Sequence, residues 1–230
     1  MSLPNDMRRA PVLCYVTDRR LFSKVDTEDA QEALLRKIEA ASSAGVDWIQ
    51  IREKDLSGRD CALLARDALR CVTNSSGGNA VAARLLVNDR LDIALAEHAG
   101  GVHLGENSLP VAEAKRLASP RADGKNFLIG VSCHSLGAAK SAERDGADYV
   151  FFGPVFATPS KALYGAPQGL KGLAEVCGAV CIPVIAIGGI TLENGAGCLR
   201  VGAAGLAAIR LFQETPNLAP LTLALKELAL

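Results

Sequence analysis

One pattern constrains this chain more than any other. A short, almost unbroken apolar run is followed by a longer stretch with helical spacing, and the pair recurs from one end to the other. Runs at 12–17, 46–51, 84–88, 101–104, 127–132, 149–152, 182–188 and 205–209 read as strands. A strand with one wet face alternates apolar and polar residues; these do not, so both faces are covered, as in a parallel sheet flanked by helices. Between the runs, Ala33, Leu34, Ile38 and Ala41, then Ala62, Leu63, Ala65, Leu69 and Val72, recur on one helical face and predict the first two helices. Three strands are preceded by similar punctuation: Ala44-Gly45-Val46-Asp47, Asp145-Gly146-Ala147-Asp148 and Val201-Gly202-Ala203-Ala204. Glycine there predicts the left-handed residue that ends a helix before a short turn into the next strand.

Eight such units with no linker or break in composition predict one α/β domain over residues 1–230, with 1–10 as a flexible start. The length suits a single barrel, which takes roughly 200 to 250 residues. An open doubly wound sheet has the same alternation, so the polar residues must decide. They fall at strand ends: Gln50, Arg52 and Lys54 after the second strand, Asn88 and Asp89 after the third, His103 and Glu106 around the end of the fourth, and Ser132 and His134 after the fifth. Thr158, Ser160 and Lys161 follow the sixth, and Gly188 and Gly189 the seventh. Groups from so many consecutive strands meet only if the sheet closes, whereas an open sheet gathers residues near its switch point alone. The expectation is a (β/α)₈ TIM barrel with its site at the carboxyl ends of the strands.

Charge and composition narrow the function classes. With 25 Lys+Arg against 25 Asp+Glu the chain has no net charge, which argues against a nucleic-acid or anionic-membrane binder; any anion site is local. No apolar run is long enough to span a bilayer, and residues 1–9 lack the apolar core of an export signal. The seven cysteines form no CxxC pair and sit in or beside apolar runs, as Cys14, Cys133 and Cys181 do, so buried free thiols and a cytoplasmic location are expected. Homo-oligomerisation is left open.

Several segments carry candidate chemistry. In Ile49-Gln50-Ile51-Arg52-Glu53-Lys54 the period of two puts Gln50, Arg52 and Lys54 on one face, suited to phosphate or pyrophosphate oxygens; the alternative is a solvated strand end with an Arg–Glu pair. Asn88-Asp89 can hold Mg²⁺, or Asp89 can cap the helix that follows. Ile187-Gly188-Gly189-Ile190 ends a strand and opens a helix, where glycines let backbone amides approach a phosphate; a simple tight turn is the other reading. The segment from Thr158 through Pro167 has the Pro, Gly and hydroxyl content of a lid. His134 is an acid/base candidate or a helix cap.

Taken together, Tyr15-Val16-Thr17-Asp18, Gln50-Ile51-Arg52-Glu53-Lys54, Val87-Asn88-Asp89-Arg90-Leu91-Asp92, Gly101-Val102-His103-Leu104-Gly105, Ile129-Gly130-Val131-Ser132-Cys133-His134-Ser135, Asp148-Tyr149-Val150, Gly153-Pro154-Val155-Phe156 through Lys161, and 183–190 resemble the thiamine phosphate synthase and thiazole tautomerase superfamily over nearly the whole chain. For the synthase branch the resemblance implies joining of hydroxymethylpyrimidine pyrophosphate to thiazole phosphate. Gln50, Arg52, Lys54, Asn88 and Lys161 would hold the pyrophosphate, with Mg²⁺ on Asp89. Ser132 would face the pyrimidine, Thr158 and the Gly188 and Gly189 amides the thiazole phosphate side, and Ser160 would be a further substrate-binding residue. The chain departs from the family pattern in two places. Ser108 stands where a second metal-binding aspartate is usual, with Glu106 as a substitute ligand, and Arg210 stands where a small hydroxyl is usual, either binding phosphate or filling the pocket. The 164–170 segment is nearer the tautomerase branch, whose proton shuttle would be His134; the further alternative is a phosphate-ligand-binding paralogue without turnover.

Overall fold

The computed structural model describes residues 10–22, 29–74, 82–118, 126–158 and 166–228. Eight parallel strands close in sequence order: β1 (Val12–Val16), β2 (Trp48–Ile51), β3 (Arg84–Asn88), β4 (Gly101–Leu104), β5 (Leu128–Cys133), β6 (Tyr149–Phe152), β7 (Val184–Ile187) and β8 (Gly205–Ala208). The seam is a full ladder, with β8 paired to β1 from Val12↔Gly205 to Tyr15↔Ala208. Around the barrel lie α1 (Ala30–Ser43), α2 (Gly58–Asn74), α3 (Leu91–Ala96), α4 (Val111–Ala118), α5 (Leu136–Arg144), α6 (Gly169–Ala179), α7 (Leu192–Arg200), α8 (Arg210–Gln213) and α9 (Leu218–Glu227), and a 3₁₀ turn (Arg19–Leu21) follows β1. No described helix is long and apolar enough to cross a membrane.

The absence of alternation now has its cause. Odd and even strand positions enter two separate apolar layers. Leu13, Tyr15, Ile49, Ile51, Leu85 and Val87 pack against helices. Val12, Cys14, Val16, Trp48, Leu86, Tyr149 and Phe151 fill the interior. The interior is a packed core rather than a channel.

Helix ends set where strands begin. Gly45, Gly146 and Gly202 have φ of 84°, 93° and 106°. In each motif the glycine amide and the next one return to the helix: Gly45 N to Ser42 O (3.0 Å) and Val46 N to Ala41 O (3.1 Å), Gly146 N to Glu143 O (3.0 Å) and Ala147 N to Ala142 O (2.9 Å), Gly202 N to Leu199 O (3.0 Å) and Ala203 N to Cys198 O (3.1 Å). These are Schellman closures of α1, α5 and α7. The turn consumes Val46 and Asp47, so β2 starts at Trp48 rather than 46. Two of these turns deliver an aspartate to the amino end of the barrel. The Asp47 amide donates to Leu13 O (3.1 Å) and the Asp47 side chain accepts the Leu13 amide in return (2.8 Å), with Lys226 Nζ at 3.2 Å. Asp148 accepts the Ile129 amide (2.7 Å) and pairs with Lys115 (2.8 Å).

Two expectations are corrected. The buried face of α2 is Cys61, Leu64, Ala65, Ala68 and Val72, and Leu63 lies 42% exposed, because that helix is rotated from the face its leucines suggested. Cys14, Cys61, Cys133 and Cys198 are buried free thiols, but Cys181 is exposed in the turn before β7. Burial pushes the Cys133 thiol up to about 12 and Cys198 to about 11, which leaves them protonated and inert near neutral pH.

Candidate active site

The carboxyl mouth is organised by a chain of polar side chains that crosses three strands. Gln50, the last inward residue of β2 and only 2% exposed, donates from Nε2 to Asn88 Oδ1 (2.9 Å). Asn88 Nδ2 donates to Asp89 Oδ2 (2.8 Å). Asp89 Oδ1 accepts the Gly105 amide (3.0 Å) and the Ser108 hydroxyl, and Ser108 Oγ itself accepts that amide (2.9 Å). Asp89 adopts φ 59°, a left-handed conformation that Asp tolerates better than most side chains and that turns its carboxylate toward the β4 loop. It does not cap the helix that follows: Arg90 is the N-cap of α3 and makes no side-chain cap bond.

Arg52 and Lys54 leave the strand just past Gln50, half-buried and exposed respectively. Glu53 between them turns away. Its side chain is 1% exposed and accepts from Thr17 Oγ1 (2.6 Å), from the Arg19 amide (3.0 Å) and from Arg19 Nη1 (3.1 Å). The Arg–Glu pair at this strand end therefore forms with Arg19. Arg19 is also forked onto Asp55 at 2.8 Å, which holds the Asp55 carboxyl below the usual carboxylate range. Thr17 receives the Arg52 amide as well (3.0 Å), so the loop backbone is fixed while its two cations have no acidic partner among the described residues.

On the opposite wall, Ser132 is half-buried and its Oγ lies 2.9 Å from His103 Nε2. The His134 amide donates to Glu106 Oε1 (2.9 Å), and His134 Nδ1 bonds the Gly153 carbonyl. A carbonyl only accepts, so Nδ1 carries hydrogen and Nε2 is the basic nitrogen of the neutral ring. His134 does not cap α5; Ser135 does.

Gly188 and Gly189, at φ 97° and 65°, press against the loop after β6: a Cβ would stand 2.6 Å from Pro154 Cα and 2.6 Å from Ala157 O. Phe156 N donates to Gly188 O (3.0 Å), and Asn194 Nδ2 to Gly189 O (2.9 Å), fastening the turn to the first residues of α7, which a Thr191–Asn194 capping box closes. The carbonyls are used, whereas the amides of Gly188 and Gly189 meet no acceptor among the described residues. That is the arrangement an anion requires. Arg210 does not fill the barrel. It is exposed at the start of α8 and pairs with Glu214 (3.1 Å). Thr158 ends the described part of the loop after β6; Ser160 and Lys161 lie outside the described residues.

Among the described residues no group of three His, Cys, Asp or Glu side chains is arranged to hold a metal ion. Among the described residues Asp89 and Glu106 accept only from neutral donors, and no Lys or Arg pairs with either. His103 is the residue that strand-end reading undervalued. It lies inside an apolar run at an inward position, where a polar ring has to be bonded or face the site. The Tyr15–Gln213 bond (3.0 Å) was equally invisible, since its partners are 198 positions apart.

The fold and the gathered groups define a (β/α)₈ barrel whose polar site occupies the carboxyl mouth. A family model described as thiamine monophosphate synthase matches residues 15–212, and the chain belongs to that family. Thiamine-phosphate synthase of Methanoculleus marisnigri is 48% identical over 169 residues, covering 74% of this chain and 75% of the relative. Thiamine-phosphate synthase of Chloroflexus aurantiacus is 42% identical over 198 residues, covering 86% of each. Among solved structures, thiamine phosphate pyrophosphorylase from Pyrococcus furiosus superposes with a TM-score of 0.77 at 32% identity, covering 96% of both chains.

Proposed function

We propose that this protein is a thiamine phosphate synthase, coupling hydroxymethylpyrimidine pyrophosphate to thiazole phosphate with release of pyrophosphate. The observation that carries the reading is the likeness to proteins of that name over most of the chain, at 48% identity in one case. The mouth suits the reaction. The bond between the pyrimidine methylene and the pyrophosphate oxygen breaks, and its electron pair leaves with the anion. The thiazole ring nitrogen then donates its lone pair to the methylene. The electron-rich aminopyrimidine supports the positive charge in between, so the protein's task is to receive the leaving anion and hold the rings together.

The Arg52 and Lys54 side chains, off the strand and without acidic partners among the described residues, are the anion's receivers, joined by Lys161, with Gln50 and Asn88 beside them. The Gly188 and Gly189 amides, together with Thr158, Ser160 and Arg210, belong to the thiazole phosphate. The donor set fits Mg²⁺, which takes one or two protein carboxylates and fills its shell with water and substrate oxygens. Asp89 would hold it, with Glu106 in reach of the same loop. When bound it would neutralise developing charge on the pyrophosphate.

Incubation with both substrates and Mg²⁺, scored for thiamine phosphate and pyrophosphate, tests the reading; a folded protein that forms neither overturns it. The tautomerase alternative rests on His134, whose Nε2 has no partner among the described residues. Proton exchange into the thiazole carboxylate phosphate without pyrophosphate release would establish it instead.

A further inference from the structure

A buried hydrogen-bonded chain runs down the barrel axis below the mouth. Tyr149 OH lies 3.0 Å from His103 Nδ1, and His103 Nε2 lies 2.9 Å from Ser132 Oγ. Tyr149 and Phe151 are fully or almost fully buried and His103 is 1% exposed, while Ser132 reaches the mouth. The rings hold one another in place. The His103 ring centroid is 4.1 Å from that of Phe151 and 5.6 Å from that of Tyr149, and Tyr149 rests on Trp48 at 4.6 Å. Gly130 makes room for this: a Cβ there would lie 2.0 Å from Tyr149 Cζ. A strand position was left without a side chain so that the phenol can cross the barrel.

The direction of the chain follows from its buried end. Tyr149 OH has one hydrogen and, among the described residues, one partner. Burial pushes its pKa well above the ordinary phenol value, so it stays protonated. Leaving that hydrogen without an acceptor in the buried core is unfavourable, since a buried donor then loses water with nothing in exchange. Tyr149 therefore donates to His103 Nδ1. The neutral ring then carries its hydrogen on Nε2 and donates to Ser132 Oγ, so the Ser132 hydroxyl hydrogen has to point elsewhere, into the mouth.

We propose that Tyr149 and His103 are positioning residues that fix Ser132 as a hydrogen-bond donor, so that the site selects a substrate atom with a lone pair, such as a ring nitrogen of an aminopyrimidine, over one bearing hydrogen. The choice of ring rests on the synthase reading; the direction of the relay does not.

Two measurements separate the parts. The chain has three histidines, so ¹⁵N-histidine NMR with His103→Gln as the assignment control reads the tautomer directly. The expected result is hydrogen on Nε2 in the parent and a mixed or reversed tautomer in Tyr149→Phe. Hydrogen on Nδ1 in the parent overturns the relay. Calorimetric binding of the hydroxymethyl aminopyrimidine pyrophosphate is then compared with analogues in which each ring nitrogen in turn is replaced by CH. The parent should prefer the nitrogen compound over one analogue by roughly five- to tenfold, the worth of one hydrogen bond. Ser132→Ala should abolish that preference and Tyr149→Phe should weaken it. An unchanged preference in Ser132→Ala overturns the donor role. A protein that forms no thiamine phosphate yet shows Nε2 hydrogen refutes the synthase reading and supports the relay.

Discussion

The two ends of this barrel use the same residue type in opposite ways. At the amino end, Asp47 and Asp148 each accept a strand amide and each has a lysine at 3.2 or 2.8 Å, so their charge is balanced and the groups they serve are satisfied. At the carboxyl end, Asp89 and Glu106 accept from Gly105, Asn88, Ser108 and His134, all neutral donors, and no described cation offsets them. A carboxylate held in place by neutral donors is oriented but not neutralised. One end is balanced by its own lysines; at the other the carboxylates are oriented without a described cation beside them.

The contrast is broken most directly by removing one aspartate from each end. Asp89→Asn should lower thiamine phosphate formation by orders of magnitude while shifting stability by about 1 kcal/mol or less, because the amide oxygen still accepts from Gly105 and Asn tolerates the left-handed backbone. Parental turnover in that variant would remove Asp89 from the site. Asp148→Ala should do the reverse. It strands the Ile129 amide and the Lys115 partner, so unfolding in urea should show a loss of roughly 1–3 kcal/mol with unchanged activity per folded molecule. A stability loss at Asp89 as large as at Asp148 would erase the distinction between the ends.

Two smaller effects sharpen it. Ser108→Asp adds a second charge beside Asp89, and Mn²⁺ binding followed by electron paramagnetic resonance should tighten by roughly tenfold, since ligand charge tunes affinity at oxygen sites. Unchanged binding would mean the Ser108 hydroxyl serves only the Gly105 turn. His134→Gln should leave substantial thiamine phosphate formation, with any loss appearing as a raised KM, because neither bond breaking nor attack by the thiazole nitrogen calls for a proton shuttle at this position. A loss of several orders of magnitude in a folded variant would reassign His134 to the chemistry.

How far the sequence reached differs between fold and site. β3, β4 and β6 stand where their apolar runs begin and end. β7 is shorter than its run, at Val184–Ile187, since Pro183 has no amide to give a ladder and Gly188 turns away at φ 97°. At the site, Gln50, Asn88 and Asp89 were legible as strand-end polar residues. Their joining into one chain was not, because those bonds depend on the register of β2 beside β3.

What the sequence determined by itself is local and periodic. The apolar runs demand burial of both faces, the helical stretches supply the cover, and glycines at 45, 146 and 202 close helices in a conformation that other residues seldom adopt. Tertiary structure decided everything that depends on direction. It turned Glu53 onto Arg19 rather than Arg52, gave Asp89 to Ser108 rather than to a helix end, and laid Tyr149 across Gly130 to reach His103. The physical reason is that hydrogen bonds are short-ranged and directional, so their partners are chosen only when closure of the sheet has fixed which strands are neighbours and in what register.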